Sequence, residues 1–140
     1  MALALFGTFG FELDLTTYTD EELSALTPFI HWCRQHGALL RGGNLYRLID
    51  PTPANLGTAW ITVAPDKSEA AAFAVGTALN GTGKPRPRLV LQGLDEDAVY
   101  TVTDGETTAR YTGFILQTLG LPLPGDYGQT PAKIYYLKKE

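Results

Sequence analysis

Over residues 2–11 apolar side chains run almost without interruption and are punctuated by Gly7 and Gly10, the pattern of a strand buried on both faces in an α/β protein. The pattern then switches. Thr19-Asp20-Glu21-Glu22 forms a capping box, so a helix is predicted to begin near Asp20. Leu23, Leu26, Ile30, Cys33, Gly37 and Leu40 recur at spacings of three and four, forming one inward stripe that Arg41-Gly42-Gly43 brings to an end. Pro28 removes the hydrogen bond back to Ser24. Either one helix bends there, or Thr27 caps a second helix with Pro28 in its first turn; the unbroken stripe favours a bend.

Beyond Gly43 helical periodicity gives way to short β-rich runs separated by Gly, Pro, Asn and Asp clusters. Strands are predicted over residues 44–48, 58–64, 70–79, 86–92, 99–103, 107–111 and 132–137. Asp104-Gly105 predicts a two-residue hairpin, because both residues tolerate positive φ. Pro51, Pro53, Pro65, Pro85 and Pro87 fall near strand edges, where a missing N–H does little harm. The chain reads as mainly β: residues 44–140 as an antiparallel sandwich of about seven short strands, preceded over residues 1–43 by a strand and a long helix. A lone strand and helix cannot bury both faces, so the first part calls for a partner and, left uncovered, predicts dimerisation or aggregation.

Composition narrows the function. With 140 residues, 44% hydrophobic and 19% charged, the chain suits one globular domain with a core of its own. Cys33 is the single cysteine, so no internal disulfide forms. Eleven Lys and Arg against 15 Asp and Glu give a net charge of −4, which argues against nucleic acid or an anionic membrane as partner. No cation precedes the first apolar run, and Glu12 and Asp14 follow it, so an export signal is not expected and a soluble cytoplasmic protein is.

Candidate chemistry is sparse. Cys33 and His36 lie three apart on the helix, the start of a thiolate–imidazole pair or half a metal site, but nothing completes it and core packing of Cys33 is the simpler reading. His31 points about 140° away from His36, and with both histidines on one helix no Ser-His-Asp set assembles. Asp95-Glu96-Asp97 is the densest acid cluster, and paired carboxylates are what glycosidases use, yet its place between two strands reads as a solvated turn; Asp66 and Glu69 read the same way. Lys84, Arg86 and Arg88 alternate with prolines and suit a polar strand edge better than a phosphate loop. Trp32, Trp60 and the tyrosines offer aromatic faces for a sugar, although sandwich aromatics mostly fill cores. No metal and no cofactor is expected.

The segment Ala4-Leu5-Phe6-Gly7-Thr8-Phe9-Gly10-Phe11-Glu12-Leu13-Asp14-Leu15-Thr16 resembles the close of the catalytic barrel in retaining α-galactosidases of glycoside hydrolase family thirty-six. Further matches follow in family order: Asp20-Glu21-Glu22-Leu23, Leu45-Tyr46-Arg47-Leu48, Asp66-Lys67-Ser68-Glu69-Ala70, Leu91-Gln92-Gly93-Leu94-Asp95 and Gly120-Leu121-Pro122-Leu123-Pro124. Cys33-Arg34 and Gly113-Phe114-Ile115-Leu116 depart from the pattern, which is Tyr-Lys-like at the first and more polar at the second. The resemblance implies residues 1–43 as the last strand and helix of a (β/α)8 barrel and residues 44–140 as the C-terminal sandwich of the enzyme. It implies that both catalytic aspartates lie upstream, that the chain alone is inactive, and that its partners are the barrel and, through it, α-galactosides such as melibiose and raffinose. Gly7, Thr8, Phe9 and Gly10 would then line the substrate pocket, because barrel active sites lie at the C-terminal ends of strands. A homo-oligomer is a further possibility of this reading. Two alternatives stand beside it: a carbohydrate-binding module that holds galactosides through Trp60 or tyrosines without cleaving them, and a structural partner of a separately encoded barrel.

Overall fold

The computed structural model describes residues 14–50, 57–76, 88–123 and 132–140. The predicted strand over residues 2–11 lies outside them. A 3₁₀ turn, Leu15–Thr17, is capped by Asp14, and helix α1 follows as Asp20–Gly42. The capping box forms as the sequence requires: the Glu22 amide donates to Thr19 Oγ1 at 3.3 Å and the Thr19 amide to Glu22 Oε2 at 2.9 Å. Pro28 sits inside one continuous helix, and the Thr27 hydroxyl donates to the Leu23 carbonyl instead of capping a second helix.

The β elements are β1 Asn44–Ile49, β2 Gly57–Val63, β3 Glu69–Gly76, β4 Arg88–Leu89, β5 Val99–Thr103, β6 Thr108–Thr112, β7 Leu121–Pro122 and β8 Ala132–Lys139, with a short helix, α2 Gly113–Thr118, after β6. Six strands form one antiparallel sheet in the order β1-β2-β3-β8-β5-β6, while β4 pairs with β7 in a small second sheet. The C-terminal strand β8 therefore joins the β1–β3 meander to the β5–β6 hairpin.

Two apolar clusters explain the layering. On one face Ile61, Ala72, Tyr100 and Leu137 pack with Leu89, Leu91, Leu116 and Leu121 from the small sheet, α2 and their loops. On the other, Leu39 and Leu40 of α1 pack with Ala71 and Phe73, joined at the margin by Trp32, Cys33, Trp60 and Tyr136. Strand β3 is buried on both sides, and half of its residues are alanine: Ala70, Ala72 and Ala74 serve the first cluster, Ala71 and Phe73 the second. The C-terminal half of α1 thus finds its cover on this sheet.

Three local expectations change. The hairpin loop has four residues, since Thr103 pairs with Thr108. Asp104 closes it: Oδ1 accepts from the Glu106 and Thr107 amides at 3.1 and 2.8 Å and takes over part of the backbone's role. Of the strand predicted over 86–92, residues 86 and 87 lie outside the described residues and the rest is strand only at Arg88–Leu89, because the Leu91 amide turns to the Leu116 carbonyl of α2 at 3.0 Å. Helix α2 itself, capped by the Thr112 hydroxyl, arises where the sequence suggested only a loop; six residues are too few to display a helical period.

Candidate functional site

Two places bring polar side chains into apolar packing. At the junction of α1 and the sheet, His36 is buried between the rings of Trp32 and Tyr136, with centroids at 4.8 and 4.3 Å. Its Nδ1 stands 3.8 Å from Glu69 Oε2, and the Tyr136 hydroxyl donates to the same oxygen at 2.7 Å. Burial holds His36 below the ordinary imidazole value, while the charge and hydrogen bonding of Glu69 pull it back upward. Burial, and then Glu69, raise Tyr136. The half-buried Cys33 thiol is raised by burial and packs into the α1 cluster, so His36 finds its partners across the sheet and not along its own helix. Among the described residues no group of three His, Cys, Asp or Glu is placed to hold a metal ion.

The second place is a cleft of about 230 Å³ at the β6 edge, where the main sheet and β7 part company. Strand alternation assembles it. Val102 on β5, Ala109 and Tyr111 on β6, and Tyr135 on β8 face the same side, opposite Leu121, Pro122 and Leu123. Asp104 and Thr107 supply its polar end. Asp104 Oδ1 accepts from two amides and from the Thr107 hydroxyl, while Oδ2 faces Lys133 Nζ at 3.0 Å. Both members of this ion pair are largely buried, at 15% and 16% side-chain exposure. Burial raises the Asp104 carboxyl, but the Thr107, Lys133 and Glu106 hydrogen bonds together outweigh it and hold the group well below the usual carboxylate range. Burial and the nearby Asp104 charge push Tyr135 up to about 12, and its hydroxyl donates to the Pro122 carbonyl at 3.3 Å. The cleft thus combines apolar walls with one fixed, ion-paired carboxylate.

Several other candidates are held in local structural contacts. Asp95 pairs with Lys139 at 2.8 Å and its Oδ1 accepts from the Asp97 amide. Asp66 Oδ1 accepts from the Ser68 amide and hydroxyl. Arg88 donates to the Leu119 and Gly120 carbonyls at the end of α2, a capping role. Trp60 stacks on Phe73, its register partner, with centroids 5.9 Å apart. His31 is exposed on α1. Gly7, Thr8, Phe9, Gly10, Lys84 and Arg86 lie outside the described residues. Sequence reasoning missed the Asp104–Lys133 pair and the Glu69–Tyr136 bond. A signal for the first was present: Lys133 shares its strand face with Tyr135 and Leu137, an odd place for a cation on a buried face.

Residues 57–137 match the family model of the glycosyl hydrolase family 36 C-terminal domain. Similar curated proteins are α-galactosidase Mel36A of Lactobacillus acidophilus, 33% identical over 140 residues, and α-galactosidase C of Emericella nidulans, 36% identical over 136 residues. The matches cover 98% and 96% of this chain but 18% and 17% of those proteins, so the chain spans less than a fifth of their length. The crystal structure of the α-galactosidase AgaB from Geobacillus stearothermophilus superposes with a TM-score of 0.83 at 29% identity, over 99% of this chain and 18% of that one.

Proposed function

The chain belongs to the glycosyl hydrolase family 36 C-terminal domain family, and from that premise we propose that it serves as the non-catalytic closing domain of an α-galactosidase. One observation carries the reading: sequence and fold agree, over nearly the whole chain, with the same small fraction of proteins that bear that name. In this reading residues 1–43 complete the catalytic barrel and residues 44–140 form the domain that covers its flank. Gly7, Thr8, Phe9 and Gly10 sit at the barrel's active end and border the substrate. Retaining hydrolysis needs two carboxyl groups about 5 Å apart across the scissile bond. The barrel supplies them. Four of the described carboxylates support that division, because Glu22 caps α1, Asp95 holds Lys139, Glu69 holds Tyr136, and Glu140 pairs with Arg110.

Melibiose, raffinose and related α-galactosides reach the catalytic centre through the barrel. No described helix is long and apolar enough to cross a membrane, and the proposed location of the enzyme is the cytoplasm. In this reading the barrel is the partner, and neither nucleic acid nor a membrane is.

The test has two arms. The 140-residue chain is assayed on an aryl α-galactoside, with no turnover expected. The chain is then mixed with a family 36 barrel lacking its own C-terminal domain, and recovery of stability and activity is expected. Turnover by the chain alone that disappears in Asp95→Asn or Asp97→Asn overturns the proposal.

A further inference from the structure

The cleft at the β6 edge is walled by β5, β6, β7 and β8 and closed at one end by the Asp104 turn. We infer that it is a binding subsite for a single neutral hexopyranose ring, with the ring's C–H face laid against Tyr111 and the β7 wall and a ring hydroxyl donating to Asp104 Oδ2.

Size is the first ground. Pockets for drug-sized ligands run from roughly 300 to 1,000 Å³, so a cleft of about 230 Å³ selects something near one sugar ring. The composition of the wall is the second. Val102, Tyr111, Leu121 and Leu123 offer apolar and aromatic surface on two sides, the complement of a pyranose face that exposes only C–H groups. The polar end is the third. Asp104 Oδ1 is fully used by three hydrogen bonds of its own turn, whereas Oδ2 accepts one, from Lys133. A carboxylate oxygen has room for a second donor, and a hydroxyl is one. Lys133 balances the Asp104 charge, so the polar end offers a hydrogen-bond acceptor without net charge, and a wholly apolar guest would strip water from it without compensation. A polyhydroxy ring with one apolar face meets both conditions.

The choice of α-galactosides as first probes rests on the proposed function; the subsite itself does not. The 15N-labelled 140-residue chain is titrated with raffinose, methyl α-galactoside and cellobiose, and glycerol serves as the control. Expected are millimolar affinity and amide shifts confined to residues 102–111, 121–123 and 133–135. Ala109→Trp, which fills the cleft without removing a contact, and Tyr111→Ala should each weaken binding at least tenfold. Tyr111→Phe and Trp60→Phe should keep it, and a dispersed spectrum certifies the fold of each variant. Binding of cellobiose but not of the galactosides supports the subsite while counting against the galactosidase reading. Absence of localised shifts with every sugar, equal shifts with glycerol, or affinity unchanged in a folded Ala109→Trp overturns the inference.

Discussion

Burial between Trp32 and Tyr136 favours the neutral imidazole of His36 even though Glu69 Oε2 lies 3.8 Å away, so the folded protein binds a proton there less readily than the unfolded chain. Stability from this group is therefore present above the ordinary value of 6.5 and is lost as the pH falls below it. Urea midpoints from pH 8 down to about pH 5 should drop in the native protein and less steeply in His36→Phe, which keeps a ring between the two aromatics. Parallel profiles would remove His36 as the cause. Asp104 acts at lower pH and with the same sign, since its folded carboxyl titrates below the unfolded value of 3.8. Asp104→Asn keeps the shape but strips Lys133 of its counter-charge and weakens the turn. It should cost about 1–3 kcal/mol at neutral pH, and the gap from the native protein should narrow as the pH approaches 3.8 and below. A gap constant with pH would mean that the ion pair contributes nothing.

At the scale of elements the closest constraint is the start of α2. A Cβ on Gly113 would meet the Asp95 carbonyl oxygen at 1.8 Å, with the Glu96 Cα at 3.2 Å, and both are backbone. Those contacts exist because the Gly113 and Phe114 amides donate to the Ala98 and Glu96 carbonyls at 2.8 and 3.0 Å, fastening α2 to the acidic turn. Gly113→Ala should thus destabilise by about 3 kcal/mol or more, the upper end of overpacking costs. Gly105 is the contrast. It has φ of +92° with nothing near its Cβ position, so Gly105→Ala should cost only about 1–2 kcal/mol, from conformation alone. Denaturation midpoints of the two variants give the comparison, and equal losses would refute the packing argument. Pro28 is the third case. It lies on the exposed side of α1, and Pro28→Ala restores a donor to the helix, so stability should rise by up to about 3 kcal/mol. A fall would show that Pro28 helps to seat Leu39 and Leu40.

For the whole molecule, among the described residues both apolar clusters are assembled from Phe29 onward. Removing residues 1–13 should accordingly leave the unfolding midpoint nearly unchanged, while self-association measured by sedimentation decreases if their apolar run seeks a partner. A collapse of stability would place those residues in the core of the domain instead. The sheet order bears on folding in the same way. Strand β8 must lie between β3 and β5 before either half is covered, so loss of residues 132–140 should unfold the domain cooperatively.

What could be read from the sequence was local: the capping box at Thr19 and Glu22, the stripe that ends at Leu40, and strand limits that hold to within about two residues at β1, β2, β5, β6 and β8. These depend on neighbours three or four positions away or on simple alternation, and such signals survive in one dimension. Hidden were the placement of β8, the covering of the sheet by α1 on one side and α2 on the other, and both polar clusters. Glu69 meets Tyr136 across 67 residues and Asp104 meets Lys133 across 29, distances at which no periodicity speaks. Local chemistry specified the elements; only their packing decided which side chains share a site, because that depends on strand order and register, which contacts distant in the chain create.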